Sequence, residues 1–422
     1  MELLYPRCAG LDVHQKTVVA CVRITSAGRT THDVRTFETT TKALGALSDW
    51  LAEHEVTQVV MESTGVYWKP VWHILDGHFE LVLANASHVR NVPGRKTDVN
   101  DATWLADLLA HGLIRASFVP PAEFQDLRDL TRTRKQLVRE LARHTQRIQK
   151  TLEDANIKLT SVITDILGMS GRAFLHAIIA GETDPEKLAN LTRGRLKASR
   201  AQIVEALRGR VTEHHRFMLK LHLDQIGAIE AAIEAVEGRL GKRLEPFREQ
   251  VRLLTTIPGV SETTAQVIAS EMGVDLMRFR SADSLVSWAG LCPRSDESAG
   301  KRRSTRIRKG AQWLKTTLVQ AAWAAARTKR SYFRGLFHRL KARRGTMKAI
   351  VAVAASMLRT IYYMLTRGQQ YADLGENHFD ALAQVKTANR LLKRLKDIGV
   401  EVLTVHVRDN LALTLPDGAV SL

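Results

Sequence analysis

The strongest constraint on the fold lies near the N-terminus, where β-branched and apolar runs come before any helical pattern. Arg7–Gln15 reads as a short strand, Thr17–Ile24 as a second and His32–Phe37 as a third, and Ser26-Ala-Gly28 suits the hairpin turn between the last two. Ala43–His54 then has helical periodicity, with Leu44, Leu47 and Leu51 on one face. Val56–Met61 returns to a buried-looking strand, Tyr67–Leu75 to helix and Phe79–Ala84 to strand. A meander of strands followed by strand–helix alternation predicts a mixed sheet with helices on its faces.

That arrangement places a set of acids. Asp12 falls in the first strand and Glu62 at the C-terminal end of another. Asp98 and Asp101 share one face of a helix running toward Leu113, which Thr97 is positioned to cap. Carboxylates at neighbouring strand ends and a helix start can converge, and such an oxygen-only set suits Mg²⁺ and two-metal phosphodiester chemistry. The same residues also fit simple strand ends and favourable first-turn charges. The residues alone leave both readings open.

Charge narrows the partner. The net charge is +18 and the pI about 10.1, which points to a polyanion. No run of about 18 or more apolar residues occurs, and no basic segment precedes an apolar run at the start, so nucleic acid is expected rather than a membrane. Cys8, Cys21 and Cys292 are far apart and form no CxxC pair, which fits a reducing cytoplasm and argues against structural zinc.

From Phe124 to Leu159 the chain reads as a long charged helix with a seam of Val138, Leu141, Thr145, Ile148, Leu152, Ala155 and Leu159, and a second seam runs Ile226, Ile229, Ile233, Val236, Leu240. An antiparallel pair, a self-association arm and a plain bundle core all fit. Ile257-Pro-Gly-Val260 then marks a tight turn between helices, whose backbone N–H groups can hold a phosphate. A Ser- and Gly-bearing loop follows Trp288-Ala-Gly-Leu291 and leads into Lys301, Arg302, Arg303, Arg306, Arg308 and Lys309. Hydroxyls among cations suit either attack on a phosphodiester or a plain grip on backbone phosphates. The expected division is 1–120 for the sheet domain, 121–250 for the helical arm with its insert, 251–345 for the serine-bearing domain and 346–422 for a helical tail.

Together the motifs resemble a known family. Gly10-Leu-Asp-Val-His14, Met61-Glu-Ser-Thr-Gly65 and Lys96-Thr-Asp-Val-Asn-Asp101 resemble the DEDD set of insertion-sequence transposases with a RuvC-like N-terminal domain. Ile257-Pro-Gly-Val, Trp288-Ala-Gly-Leu-Cys-Pro293 and Ser298-Ala-Gly-Lys301 resemble that family's C-terminal transposase domain. The resemblance implies an α/β plus all-α protein: a RuvC/RNase H-like mixed-sheet domain, a coiled-coil arm and a mostly helical transposase domain. It implies Mg²⁺ held by Asp12, Glu62, Asp98 and Asp101, and Ser298 as the nucleophile of a covalent phosphoserine link, with Ser295 and Ser304 as substitutes. It implies donor and target DNA as partners, a structured non-coding bridge RNA as guide, and a homo-oligomer, dimer or tetramer. Where the family pattern often has Ser-Gly, Ala299 follows Ser298 and Gly300 comes next. The rival expectation is a RuvC-like structure-specific nuclease in which water attacks and Ser298 is structural.

Overall fold

The computed structural model describes residues 3–63, 65–85, 89, 101–293, 296–298, 301–304, 306–307 and 310–400. The chain divides into two compact units, Met1–Val119 and Pro120–Leu422.

The first unit contains β1 (Arg7–Val13), β2 (Thr17–Ser26), β3 (Arg29–Glu38), α1 (Thr41–Glu53), β4 (Gln58–Glu62), α2 (Trp68–Leu75), β5 (Glu80–Ala84) and α3 (Asp101–Ala110). The five strands form one sheet in the order β3-β2-β1-β4-β5. β1, β2 and β3 pair antiparallel, while β4 and β5 run parallel to β1, the mixed arrangement expected of a RuvC-like domain. The β2–β3 turn has positive φ at both central residues, 50° at Ala27 and 78° at Gly28, as a twisted two-residue hairpin requires.

Alternation along the strands divides the core. Ala9, Leu11, Val13, Val59 and Met61 face α1 and α2, where Leu44, Leu47, Trp50, Val71 and Leu75 complete one cluster. Cys8, Val60 and Ala84 face the other way, onto Leu105, Leu108 and Leu109 of α3. Fully burying side chains of this size stabilises by about 1.5–3 kcal/mol each.

The second unit is built on two long helices, α4 (Ala122–Asp154) and α9 (Glu213–Leu244). They run antiparallel: Asp126 meets Arg243, Arg134 meets Glu237, the rings of His144 and His222 lie 5.3 Å apart, and Asp154 meets His215. The seam read from sequence stops short of Leu159, because α4 is capped at Ala155 and Asn156 takes a left-handed φ of 56° that turns the chain. In the middle of the pair the seam is half-buried and Val138 is exposed. Four short helices, α5 (Leu159–Val162), α6 (Met169–Ile179), α7 (Pro185–Ala189) and α8 (Arg200–Ala206), pack at one end of the pair around Phe174, Leu175, Ile178, Leu188 and Leu207.

The rest comprises α10 (Arg248–Thr255), α11 (Glu262–Met272), α12 (Ala282–Trp288), the hairpin β6 (Asp296–Ser298) and β7 (Lys301–Ser304), then α13 (Gln312–Ala325), α14 (Tyr332–Arg344), α15 (Thr346–Arg367) and α16 (His378–Asp397). α15 is long and apolar enough to cross a membrane, yet it packs inside this unit, burying Ala349, Ile350, Val353, Ala354, Leu358 and Ile361 against its neighbours. The sequence reads Met347–Leu365 as an apolar helix within the 346–422 segment, and the structure packs this helix into the core. Phe333 is buried, and the Tyr332 ring packs against those of His378 and Phe379.

Candidate active site

Asp12 and Glu62 follow directly on the last paired residues of two parallel neighbours, Leu11 and Met61. Strand alternation puts both on the face covered by α3, the face that Cys8 and Val60 share. α3 runs antiparallel to β1 across that face: Cys8 Sγ donates to Ala106 O at 3.5 Å, and Gly10 lies against the backbone of Ala102 and Ala106. The N-terminal end of α3, which begins at Asp101, therefore lies toward the carboxyl ends of β1 and β4. Asp12, Glu62 and Asp101 thus lie toward the same end of the sheet.

The close approach depends on Gly10. A Cβ there would sit 2.2 Å from Ala102 O and 2.6 Å from Ala106 N, so a side chain would force the helix off the strand. A salt bridge fixes the helix in the other direction: buried Arg23 on β2 donates through Nε to Asp107 Oδ1 at 2.8 Å, and His32 Nε2 lies 3.1 Å from the same oxygen. Beneath the edge the thiols are inert, since burial pushes Cys8 up to about 12 and raises Cys21 as well.

His14, a member of the same motif that sequence reasoning leaves without a role, reaches Asp12: its Nε2 lies 3.2 Å from Asp12 Oδ2. The signal is the i,i+2 spacing at a strand end, which returns a side chain to the same face. Asp98 lies outside the described residues. Among the described residues no three His, Cys, Asp or Glu side chains form a ready metal cluster. The donor chemistry nonetheless fits a hard cation, because Asp12, Glu62 and Asp101 offer only carboxylate oxygens toward one end of the sheet.

In the second unit, the loop expected around Ser298 is a short two-stranded hairpin. Its register sets Lys301 opposite Ser298 and Arg302 opposite Glu297. The foot is held by the Pro293–Ile307 bridge and by Gly310, whose absent Cβ would lie 2.5 Å from Gly290 N. Ala289, Gly290 and Leu291 are buried there, so the hairpin rises from a packed base. Arg303 and Ser304 complete β7, Arg306 is exposed, and Ser304 Oγ accepts from Arg306 N–H at 3.2 Å. Ser295, Arg308 and Lys309 lie outside the described residues.

The Ile257-Pro-Gly-Val260 turn has a packing role. Gly259 has φ 83°, and a Cβ on it would meet Ala321 O and Ala325 N at 2.5 Å, so the turn is pressed onto the backbone of α13. The Val260 N–H is spent on Ile257 O at 3.0 Å, and Ser261 caps α11 by accepting from Thr264 N–H.

Comparison with known proteins gives two matches, the first running from the sheet unit through α4. A family model for DEDD-type transposases of IS110 elements, described as "Transposase", matches residues 9–157. A second, described as "Transposase IS116/IS110/IS902 family", matches residues 251–338. The chain is 24% identical over 323 residues to a Pseudomonas aeruginosa protein named "Probable family 20 transposase", covering 74% of this chain and 85% of the relative. It is 26% identical over 329 residues to the Coxiella burnetii "Transposase for insertion sequence element IS1111A", covering 76% of this chain and 81% of the relative. The first match contains the acidic edge and the second the serine hairpin, and together they span more than half of the sequence. The chain belongs to the IS110 family of transposases, enzymes that cut and rejoin DNA.

Proposed function

We propose that the protein exchanges DNA strands through a covalent phosphoserine link at Ser298, in a reaction that also needs Asp12, Glu62, Asp98 and Asp101. The observation that carries this reading is the placement of Asp12 and Glu62 on adjacent parallel strand ends, with the N-terminal end of α3 over the same face. These carboxylates would hold Mg²⁺, which when bound supplies charge stabilisation at a phosphoryl oxygen. His14 orients Asp12 by contact with its Oδ2.

In the cleaving step the Ser298 hydroxyl oxygen forms a bond to the scissile phosphorus as the bond from phosphorus to the 3′ oxygen breaks. The serine proton is lost and the departing 3′ oxygen gains one, leaving a phosphoserine ester and a free 3′-hydroxyl. Attack of a 3′-hydroxyl on that ester reverses the step on another strand, so the exchange conserves phosphodiester bonds and needs no external energy. The cations of Lys301, Arg302, Arg303, Arg306, Arg308 and Lys309 offset the negative charge that accumulates on the phosphate.

The high positive charge supports nucleic-acid partners, and from the family resemblance we assign, besides donor and target DNA, a structured non-coding bridge RNA that selects both DNAs by base pairing, with the protein acting as a homo-oligomer. Recombination of two plasmids with and without the RNA encoded beside the gene tests this part. Recombination at full rate without RNA overturns the guide, whereas cleavage by Ser298→Ala at the wild-type rate would make the protein a water-using nuclease.

A further inference from the structure

The N-terminal half of α4 carries Arg128, Arg132, Lys135 and Arg139, spaced to share one face of the helix. The first two share one buried counter-charge. Glu271 on α11, only 1% exposed, accepts two bonds from Arg132, Nε to Oε1 and Nη2 to Oε2, both 2.8 Å, and lies 3.7 Å from Arg128 Nε. Lys135 and Arg139 have no carboxylate partner in ion-pair contact among the described residues.

These cations instead gather at one indole. Arg132, Lys135 and Arg139 lie 5.8, 5.7 and 5.7 Å from the centroid of Trp313, in the first turn of α13. Holding three cations around one ring costs mutual repulsion that cation–π attraction of about 0.5–2 kcal/mol each only partly offsets. Consistent with that crowding, burial and the neighbouring Arg139 lower the proton affinity of the Lys135 ammonium. Such a cluster is completed by an anion. Trp313 stands three residues after Gly310, at the foot of the Ser298 hairpin, so the cluster lies beside the segment that would carry the cleaved strand.

We propose that Lys135 and Arg139, arrayed on Trp313 beside the Glu271-paired Arg132, bind the sugar–phosphate backbone of a nucleic-acid strand where it passes the foot of the Ser298 hairpin. As a contact to the backbone, the site carries no sequence information of its own. It adds a binding surface to the Lys301–Lys309 segment. The inference rests on the nucleic-acid reading of the function and deepens it.

The test uses the full chain and three fluorescein-labelled probes of one sequence: single-stranded DNA, duplex DNA and RNA. Affinity is followed by anisotropy over a range of KCl for wild type, Lys135→Gln/Arg139→Gln, and a control pair distant from the cluster, Arg208→Gln/Lys220→Gln, with circular dichroism to verify folding. Removing one phosphate-binding cation should reduce the log–log salt slope by about 0.7 on a single strand and about 0.9 on duplex, so the double variant should lose roughly 1.4–1.8 while the control stays at wild type. The probe with the largest reduction identifies the strand. Trp313→Leu should weaken binding with its cations retained. If wild type binds with its steep slope and Lys135→Gln/Arg139→Gln matches it on all three probes, this site is wrong while the functional reading stands. If wild type itself shows a flat salt response, the nucleic-acid reading fails with it.

Discussion

The acidic edge and the serine hairpin solve the same problem in opposite ways. Each needs two backbones to touch beneath reactive side chains, and each uses glycine to allow it, Gly10 under α3 and Gly310 against Gly290. The acids sit on β1 and β4, interior strands of a five-stranded sheet, so neighbours on both sides fix their positions. Ser298 sits on a two-stranded hairpin, which has little stability of its own and takes its place from its foot. The difference teaches that residues on interior strands are positioned by neighbours on both sides, whereas residues on an isolated hairpin are positioned through its base.

The largest effect should come from the base of the second unit. Glu271 is the buried counter-charge for Arg128 and Arg132, and burial pushes the Arg128 guanidinium down to about 10. Glu271→Ala leaves both guanidiniums uncompensated and should destabilise by about 3–5 kcal/mol, read from urea unfolding. A loss below about 1 kcal/mol would mean this base is not held electrostatically.

Asp12→Asn attacks the other side of the comparison. It should cut strand cleavage by more than the roughly 100-fold that loss of an outer-shell partner alone costs a metal site. Affinity for DNA should be unchanged, because binding rests on the basic surface. A variant that still cleaves at a tenth of the wild-type rate would remove Asp12 from the reaction.

Gly10→Ala and Gly310→Ala test the shared glycine device directly. Each introduces a Cβ within 2.5 Å of backbone, and overpacking of this kind costs about 1–3 kcal/mol. Gly10→Ala should also abolish cleavage by lifting α3 and Asp101 from the edge. Gly310→Ala should slow adduct formation while thermal unfolding of the sheet unit stays unchanged. Equal effects of both on both readouts would erase the distinction drawn here.

Much of this was legible in the sequence, for physical reasons that particular residues show. β-Branched and apolar runs placed the strands, and Asp12 and Glu62 fell in one strand and at the end of another. The hairpin was not legible, because Asp296–Ser298 and Lys301–Ser304 carry no apolar alternation to announce strands. α15 was legible as an apolar helix, but only packing shows that its apolar residues form a core. Trp313 carried no signal, since the cations around it come from a helix distant in sequence. Asn156 ended the seam of α4 through a backbone conformation that periodicity does not reveal.

The smallest expected effect is a pH dependence confined to the second unit. Burial, then His144 and Arg147, hold His222 below the usual histidine value of 6.5, so the folded form binds a proton less readily than the unfolded one. Stability should therefore be unaffected well above pH 6.5 and fall as pH drops through 6.5 toward the lowered value. The melting temperature of wild type should drop more between pH 7.5 and about 5.5 than that of His222→Gln. An identical drop in the two would assign the acid sensitivity elsewhere.

The central claim is that one reaction needs both the acids of the first unit and the serine of the second. It is tested by incubating the protein with end-labelled DNA, the proposed guide RNA and Mg²⁺, quenching with denaturant and mapping any protein–DNA adduct by mass spectrometry. The account predicts an adduct on Ser298 in wild type, and none in Ser298→Ala or in Asp12→Asn. Efficient cleavage by Ser298→Ala with no adduct on any residue would contradict it.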